Sequence, residues 1–429
     1  MSAIRIPYPA LTLRAGRRAL QRIREQGLQP ADVAILPGAA GGPKGLGIQG
    51  LDLALFADWL PRDPRPRTLI GASIGSWRFA AACLPDAAAG IRRLGELYTG
   101  QRFRKGVSMA EVSRSCVRLL EDLLDGQDAA LLANPYYRLN VMVVKSNGLL
   151  AGDHRGALGL GLSSVIGANL LGRRHIGQHF ERVILHDARQ APPLAPLDDF
   201  RSHYHALDAG NLRQALLASG SIPLVMEAIR DIPGVGPGTY RDGGLLDYHL
   251  DLPYAGDGVV LYPHFTDRVI PGWFDKGLPW RRGDAGRLQD VLLVAPSREY
   301  LARLPHGKLP DRKDFYRYGG TTRGASAIGA RPWRRASGSA MHSSNSSKAA
   351  TWATACCPSE RAARSAGHAV GARRPQHPPV VADEQREAEH PAGAGQPQGA
   401  LGPQRRQEHS GQRRQVEGRE SHAHGRWRL

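Results

Sequence analysis

Two stretches of this 429-residue chain carry residue types at spacings that suit acyl transfer. The first is Gly71-x-Ser73-x-Gly75, which follows the apolar run Leu69-Ile70 and leads into Trp77-Arg78-Phe79-Ala80. A strand that reverses sharply into a helix crowds its own backbone, so only glycine fits on either side of the bend. A serine at the bend is exposed at the sheet edge, with the N-terminal amides of the helix aimed at the same spot. Ser73 is therefore a nucleophile candidate, although a chain with 51 glycines also produces this pattern as a plain structural turn. The second stretch is Gly38-Ala39-Ala40-Gly41-Gly42-Pro43-Lys44-Gly45. A phosphate loop requires Ser or Thr after Gly-Lys, whereas Lys44 is followed by Gly45-Leu46, and the dinucleotide glycine spacing is also absent. Converging amides in such a loop suit a developing oxyanion instead.

The elements that must position these stretches read as alternating strands and helices. Residues 13–26 carry Leu13, Ala15, Ala19, Leu20 and Ile23 at near-helical spacing, with Gly27 as a stop. Residues 32–37 form a brief apolar run that suits a buried strand, and an apolar helix follows the glycine-rich loop from Leu46 to Phe56. After Ser73 the chain reads as mostly helical to about Leu132, then as strands at 139–145 and 182–186. Between those strands, Leu158-Gly159-Leu160-Gly161-Leu162 reads as a packed connection in preference to a mobile flap. Asp208 is the expected N-cap of a helix over 212–218, which Ser219-Gly220-Ser221-Ile222-Pro223 closes. Residues 229–240 are turn-rich and lead to Asp242-Gly243-Gly244, and 259–265 and 291–295 are two more β-like runs. This alternation predicts an α/β fold with a mainly parallel sheet covered on both faces, a three-layer α/β/α arrangement.

Composition divides the chain at about residue 320. Up to that point it holds 40 Lys+Arg against 31 Asp+Glu; beyond it the counts are 17 and 8, so each part contributes +9 to the net charge of +18. The first 320 residues are the predicted folded domain. Residues 321–429 are rich in Ala, Arg, Gly, Pro, Gln and Ser, with almost no apolar periodicity, and cannot build a core. They read either as a disordered basic tail or as the product of a lost reading frame in a GC-rich gene. The second is favoured because Arg317-Tyr318-Gly319-Gly320 still looks like the approach to a helix. The basic residues are scattered and lack the aromatic interleaving of a nucleic-acid-binding motif, so no specific nucleic-acid partner is expected. Cys83, Cys116, Cys356 and Cys357 suit neither a disulfide framework nor a metal site. No apolar run approaches the roughly 18 residues of a membrane span, and no signal peptide is apparent, so a cytoplasmic location, or one peripheral to a membrane, is expected.

The loop at 38–45, the elbow at 71–75 and Asp242-Gly243-Gly244, in that order, resemble the patatin-like phospholipase family over residues 30–265. The resemblance implies a hydrolase of lipid carboxylic esters, phospholipid or lysophospholipid, with no cofactor and no metal, meeting its substrate at a membrane or micelle surface. It implies Ser73 as nucleophile and Asp242 as its side-chain partner in a Ser/Asp dyad. It also places the oxyanion hole on Gly41, Gly42, Lys44, Gly45 and the amide of Ile74. In the family the loop is commonly Asp-Gly-Gly-Gly-x-Arg-Gly; here Ala39 and Ala40 replace the Asp and first glycine, and Lys44 replaces the arginine. Lysine keeps the charge but loses the guanidinium fork. Other readings stay open at this point. Ser73, Asp187 or Asp208, and His264 satisfy the order of an α/β-hydrolase triad, and Asp242 also suits a simple turn former. Asp247 and Asp251 lie close by but lack the paired glycines. A reading from another class is a catalytically inactive, basic lipid-surface or scaffold protein of the same fold.

Overall fold

A computed structural model describes residues 9–314 apart from 105 and 313; the segment 321–429 therefore lies outside the described residues. The strands, in chain order, are β1 (Leu11–Ala15), β2 (Val33–Gly38), β3 (Arg67–Ala72), β4 (Tyr137–Ser146), β5 (Phe180–Asp187), β6 (Ser202–Leu207), β7 (Ile229–Arg230), β8 (Thr239–Asp242), β9 (Val259–Pro263) and β10 (Val291–Pro296). They form one mixed sheet in the order β1-β10-β9-β2-β3-β4-β5-β6, with β8 also paired to β4 and β7 to β8. The centre, from β10 through β9, β2 and β3 to β4, is wholly parallel. Antiparallel pairing enters where β4 meets β5 and β8, and at the β1 edge. The fold is α/β, and the sheet is less uniformly parallel than the alternation of elements predicts.

The parallel centre is buried on both faces, as its sequence requires: Leu36, Leu69, Ile70, Val141 and Val143 are all inaccessible to solvent. Against it lies the helix Ile74–Cys83, every residue of which is buried. A charged residue in such a helix needs a partner, and Arg78 makes a bidentate pair with Asp52 at 2.7 and 2.6 Å.

Three sequence expectations are corrected. Residues 13–26 are not one helix: Leu11–Ala15 is an edge strand on β10, and the helix begins at Arg17. Residues 158–162 are not a connection but the first half of a helix, Arg155–Leu171. Of its glycines only Gly161 is required by packing, since a Cβ there would come within 2.8 Å of Leu150, whereas Gly159 and Gly167 face open space. Asp208 does not cap the helix directly. The N-cap is Asn211, and the Asp208 carboxylate instead holds the amides of Gly210 and Asn211 in the turn before it.

Candidate active site

One feature of the sheet brings the two key stretches together. Along a single edge of β4, the last residue of β3, Ala72, pairs with Met142, and the last residue of β8, Asp242, pairs with Val143. β3 runs parallel to β4 and β8 antiparallel, so the two strands meet tip to tip. Both chains must then leave the sheet at the same point, one at Ser73 and the other at Gly243. A Cβ on Gly243 would fall 2.3 Å from Met142 O, which accounts for the glycine after the aspartate. The gap between the strand tips is filled by Ser219, whose Oγ donates to Met142 O at 2.8 Å and accepts from the Ser73 amide at 2.8 Å.

Ser73 has φ 55° and ψ −129°, a left-handed conformation that costs a non-glycine residue about 1–3 kcal/mol. The surroundings enforce it. Gly71 lies against the Ser76 backbone, and a Cβ on Gly75 would sit 1.9 Å from Gly38 O. Gly75→Ala must therefore part β2 from the elbow helix. Its expected cost is about 3 kcal/mol or more, read from the denaturant midpoint of the purified variant.

Ser73 and Asp242 are both nearly inaccessible, and they line one cavity of about 250 Å³. Burial pushes the Asp242 carboxyl up to about 6; the neighbouring Ser73 side chain, the Gly244 amide at 2.7 Å, and the positive charges of Arg312 and Lys276 act in the opposite direction. Asp242 thus serves as a turn former, through Gly244, and faces the cavity it shares with the serine.

The residues expected in the oxyanion hole divide. Gly42, at φ 56°, opens the short helix Pro43–Leu46, and the Gly45 amide is consumed by a bond to Gly42 O. Gly45 thus does not offer a donor. Its lack of a side chain lets the loop approach Ile74, whose Cγ2 would lie 2.6 Å from a Cβ there. The amides of Gly41, Gly42, Lys44 and Ile74 have no hydrogen-bond acceptor among the described residues. Gly41, Gly42 and Lys44 line the same cavity as Ser73.

His264 does not join Ser73. It lies in a ring cluster with His249, Tyr262 and Phe265, its Nδ1 accepts the Thr266 amide at 2.9 Å, and burial holds it down to about 3. Asp187 is paired with Arg189 at 2.6 Å, and Asp208 is occupied in its turn. The cluster instead forms a floor for the loop, because Phe265 packs directly under Gly41. Asp247 is held by Arg182 at 2.7 Å, and Asp251 accepts the Asp284 amide.

Two features were not legible as motifs. Lys44, Lys276 and Arg312 converge on the cavity that holds Asp242, and among the described residues no ion pair neutralises any of them. Lys276 stands 4.4 Å from the Trp273 ring and 4.7 Å from that of Tyr248, and its amine is lowered to about 8 by desolvation and by Lys44 and Arg312. A second, mostly apolar cavity shares Ser73 and Arg312 with the first and is otherwise lined by Ile74, Trp77, Phe103, Val112, Leu119 and Met226, among others. No protein-family model matches the chain, and no curated protein matches it at a significant level.

Proposed function

We propose that the chain is a serine acyl hydrolase that cleaves carboxylic esters of phospholipids or lysophospholipids, on a three-layer, patatin-like scaffold, in the cytoplasm or at a membrane surface. The observation that carries this reading is the meeting of Ser73 and Asp242 at two abutting strand tips, one strained and the other desolvated. Ser73 Oγ attacks the ester carbonyl carbon as Asp242 takes its proton. The amides of Gly41, Gly42 and Ile74 hold the negative charge that forms on the carbonyl oxygen, each worth about 3–4 kcal/mol. The C–O bond then breaks and the alcohol leaves with the proton held by Asp242. Water, deprotonated by the same carboxylate, next hydrolyses the acyl-enzyme and frees Ser73.

The division of the cavity at Ser73 fits an amphiphile. The apolar limb by Trp77 and Leu119 suits the acyl chain, and the limb with Lys44 and Lys276 suits a phosphate, with Arg312 on the wall that the two share. Lys276→Met is accordingly expected to raise KM for an anionic lysophospholipid by about tenfold, while a neutral short-chain ester keeps its kcat/KM. An equal change for both substrates would remove the phosphate assignment. A fluorophosphonate probe tests the reading as a whole. Labelling that disappears in Ser73→Ala supports a hydrolase, whereas no labelling of a protein that still binds vesicles supports an inactive lipid-surface protein.

A further inference from the structure

The helix Arg155–Leu171 spans about 25 Å and carries no charged side chain from Gly156 to Leu171. Its inner face, Leu158, Gly161, Val165 and Asn169, packs on a small separate core that includes Leu150, Phe180 and Leu245. Its outer face is open and, Ser163 and Ser164 aside, apolar. Leu160, Ile166, Leu170 and Leu171, with Leu149 from the preceding turn, are between 49% and 84% exposed. A helix solvated on one side ordinarily turns charged residues outward, so this face is built to be covered. Trp280, 68% exposed, belongs to the same region, because its neighbour Arg281 donates to Asn169 O at the C-terminal end of the helix.

The charge around the patch indicates what covers it. No acidic residue occurs from His154 to Phe180 or from Lys276 to Gly283. Arg155 and Arg174 stand at the two ends of the helix, and Arg281 and Arg282 flank Trp280. None of the four is in an ion pair among the described residues. A second copy of the chain in a two-fold contact would set these arginines against themselves. The segment beyond residue 320 is itself basic, with 17 Lys+Arg against 8 Asp+Glu, and offers these arginines no net opposite charge. An anionic surface satisfies both the leucines and the arginines, and a Trp beside arginines suits the boundary between head groups and acyl chains. No helix among the described residues is long and apolar enough to cross a membrane, so this one is suited to lie in the interface.

We propose that the outer face of the helix Arg155–Leu171, with Leu149 and Trp280 beside it, is a docking surface for an anionic lipid bilayer. It goes beyond the hydrolase reading but agrees with it. The helix's inner core shares Leu245 with the wall of the Ser73 cavity, and the helix contacts the segment Trp273–Gly277 that bears Lys276. Docking there would set the cationic limb beside the head groups.

The test is co-sedimentation of the full chain with vesicles of phosphatidylcholine alone and of equal parts phosphatidylcholine and phosphatidylglycerol, which requires no catalysis. Binding to the anionic vesicles is expected to weaken with salt and to fall by about tenfold or more in a Leu160→Glu/Leu170→Glu/Leu171→Glu variant. Arg155→Gln/Arg174→Gln/Arg281→Gln/Arg282→Gln should reduce the anionic preference and leave folding, followed by circular dichroism, unchanged. The proposal is overturned if the leucine variant binds as tightly as the parent, or if both vesicle types bind equally. It is also overturned if the parent ignores vesicles and the leucine variant merely turns a dimer into a monomer. Should the Ser73 reading fail, a silent fluorophosphonate probe would reveal it with vesicle binding intact.

Discussion

Ser73→Ala is expected to lower kcat on a soluble short-chain ester by on the order of 10⁴-fold or more and to leave the fold intact, measured on purified protein alongside its thermal midpoint. On the proposed mechanism, removing the oxygen removes the group that forms the acyl intermediate, while the amides of Gly41, Gly42 and Ile74 would still bind the carbonyl and leave a residue of rate. Ser73→Gly separates the chemistry from the strain. The backbone at Ser73 has φ 55°, which alanine tolerates no better than serine and glycine accepts without cost. Ser73→Gly should therefore be as inactive as Ser73→Ala but more stable than it, by about 1 kcal/mol, despite the greater freedom that glycine gives the unfolded chain. Equal stability of the two variants would mean that the elbow is unstrained and that its geometry stores nothing for the reaction.

The elbow was legible because it is local: a buried strand, a small-residue bend and a helix are written within thirteen residues, from Thr68 to Ala80. The aspartate that meets it at the strand tips was legible only by resemblance. Nothing in the spacing of Asp242 announces that β8 will lie end to end with β3 along β4, since that follows from the antiparallel entry of β8 beyond the last pair of β3. Ser219 illustrates the same limit. Its stretch was noticeable as a helix end, but its bond to the Ser73 amide joins residues 146 positions apart. The helix Arg155–Leu171 was misread for a different reason. Gly156, Gly159, Gly161 and Gly167 each lower intrinsic helix propensity, and packing of Leu158, Gly161 and Val165 against a second core overrides that loss. Leu11–Ala15 was misassigned because Leu13 and Ala15 happen to fall in phase with Ala19 and Ile23 of the helix that follows. Lys276 and Arg312 lie far from the motifs in sequence, and isolated basic residues in a basic chain give no signal.

Asp242→Asn is expected to cost about as much activity as loss of the serine and, at pH 8, to make the protein more stable. The two effects have one origin. Burial lifts the carboxyl from the ordinary 3.8 to about 6, so the folded state binds its proton more tightly than the unfolded chain does. Between these values stability falls as pH rises, and above about 6 the full cost of a buried charge is present. That cost is on the order of 2–3 kcal/mol, the shift converted at about 1.4 kcal/mol per unit. Asparagine keeps an oxygen for the Gly244 amide and carries no charge, so its gain in stability should be clear at pH 8 and vanish by about pH 4. The same ionisation should appear in the parent as an acid limb of kcat/KM near pH 6, since a base that takes the Ser73 proton must be deprotonated first. His264→Asn, which retains an acceptor for the Thr266 amide, is expected to preserve both the rate and that limb. Loss of activity on His264→Asn with retention on Asp242→Asn would reverse the assignment and return the histidine to the chemistry. A stability gain that persists unchanged to pH 4 would show instead that the carboxylate at position 242 is not the group held up by burial.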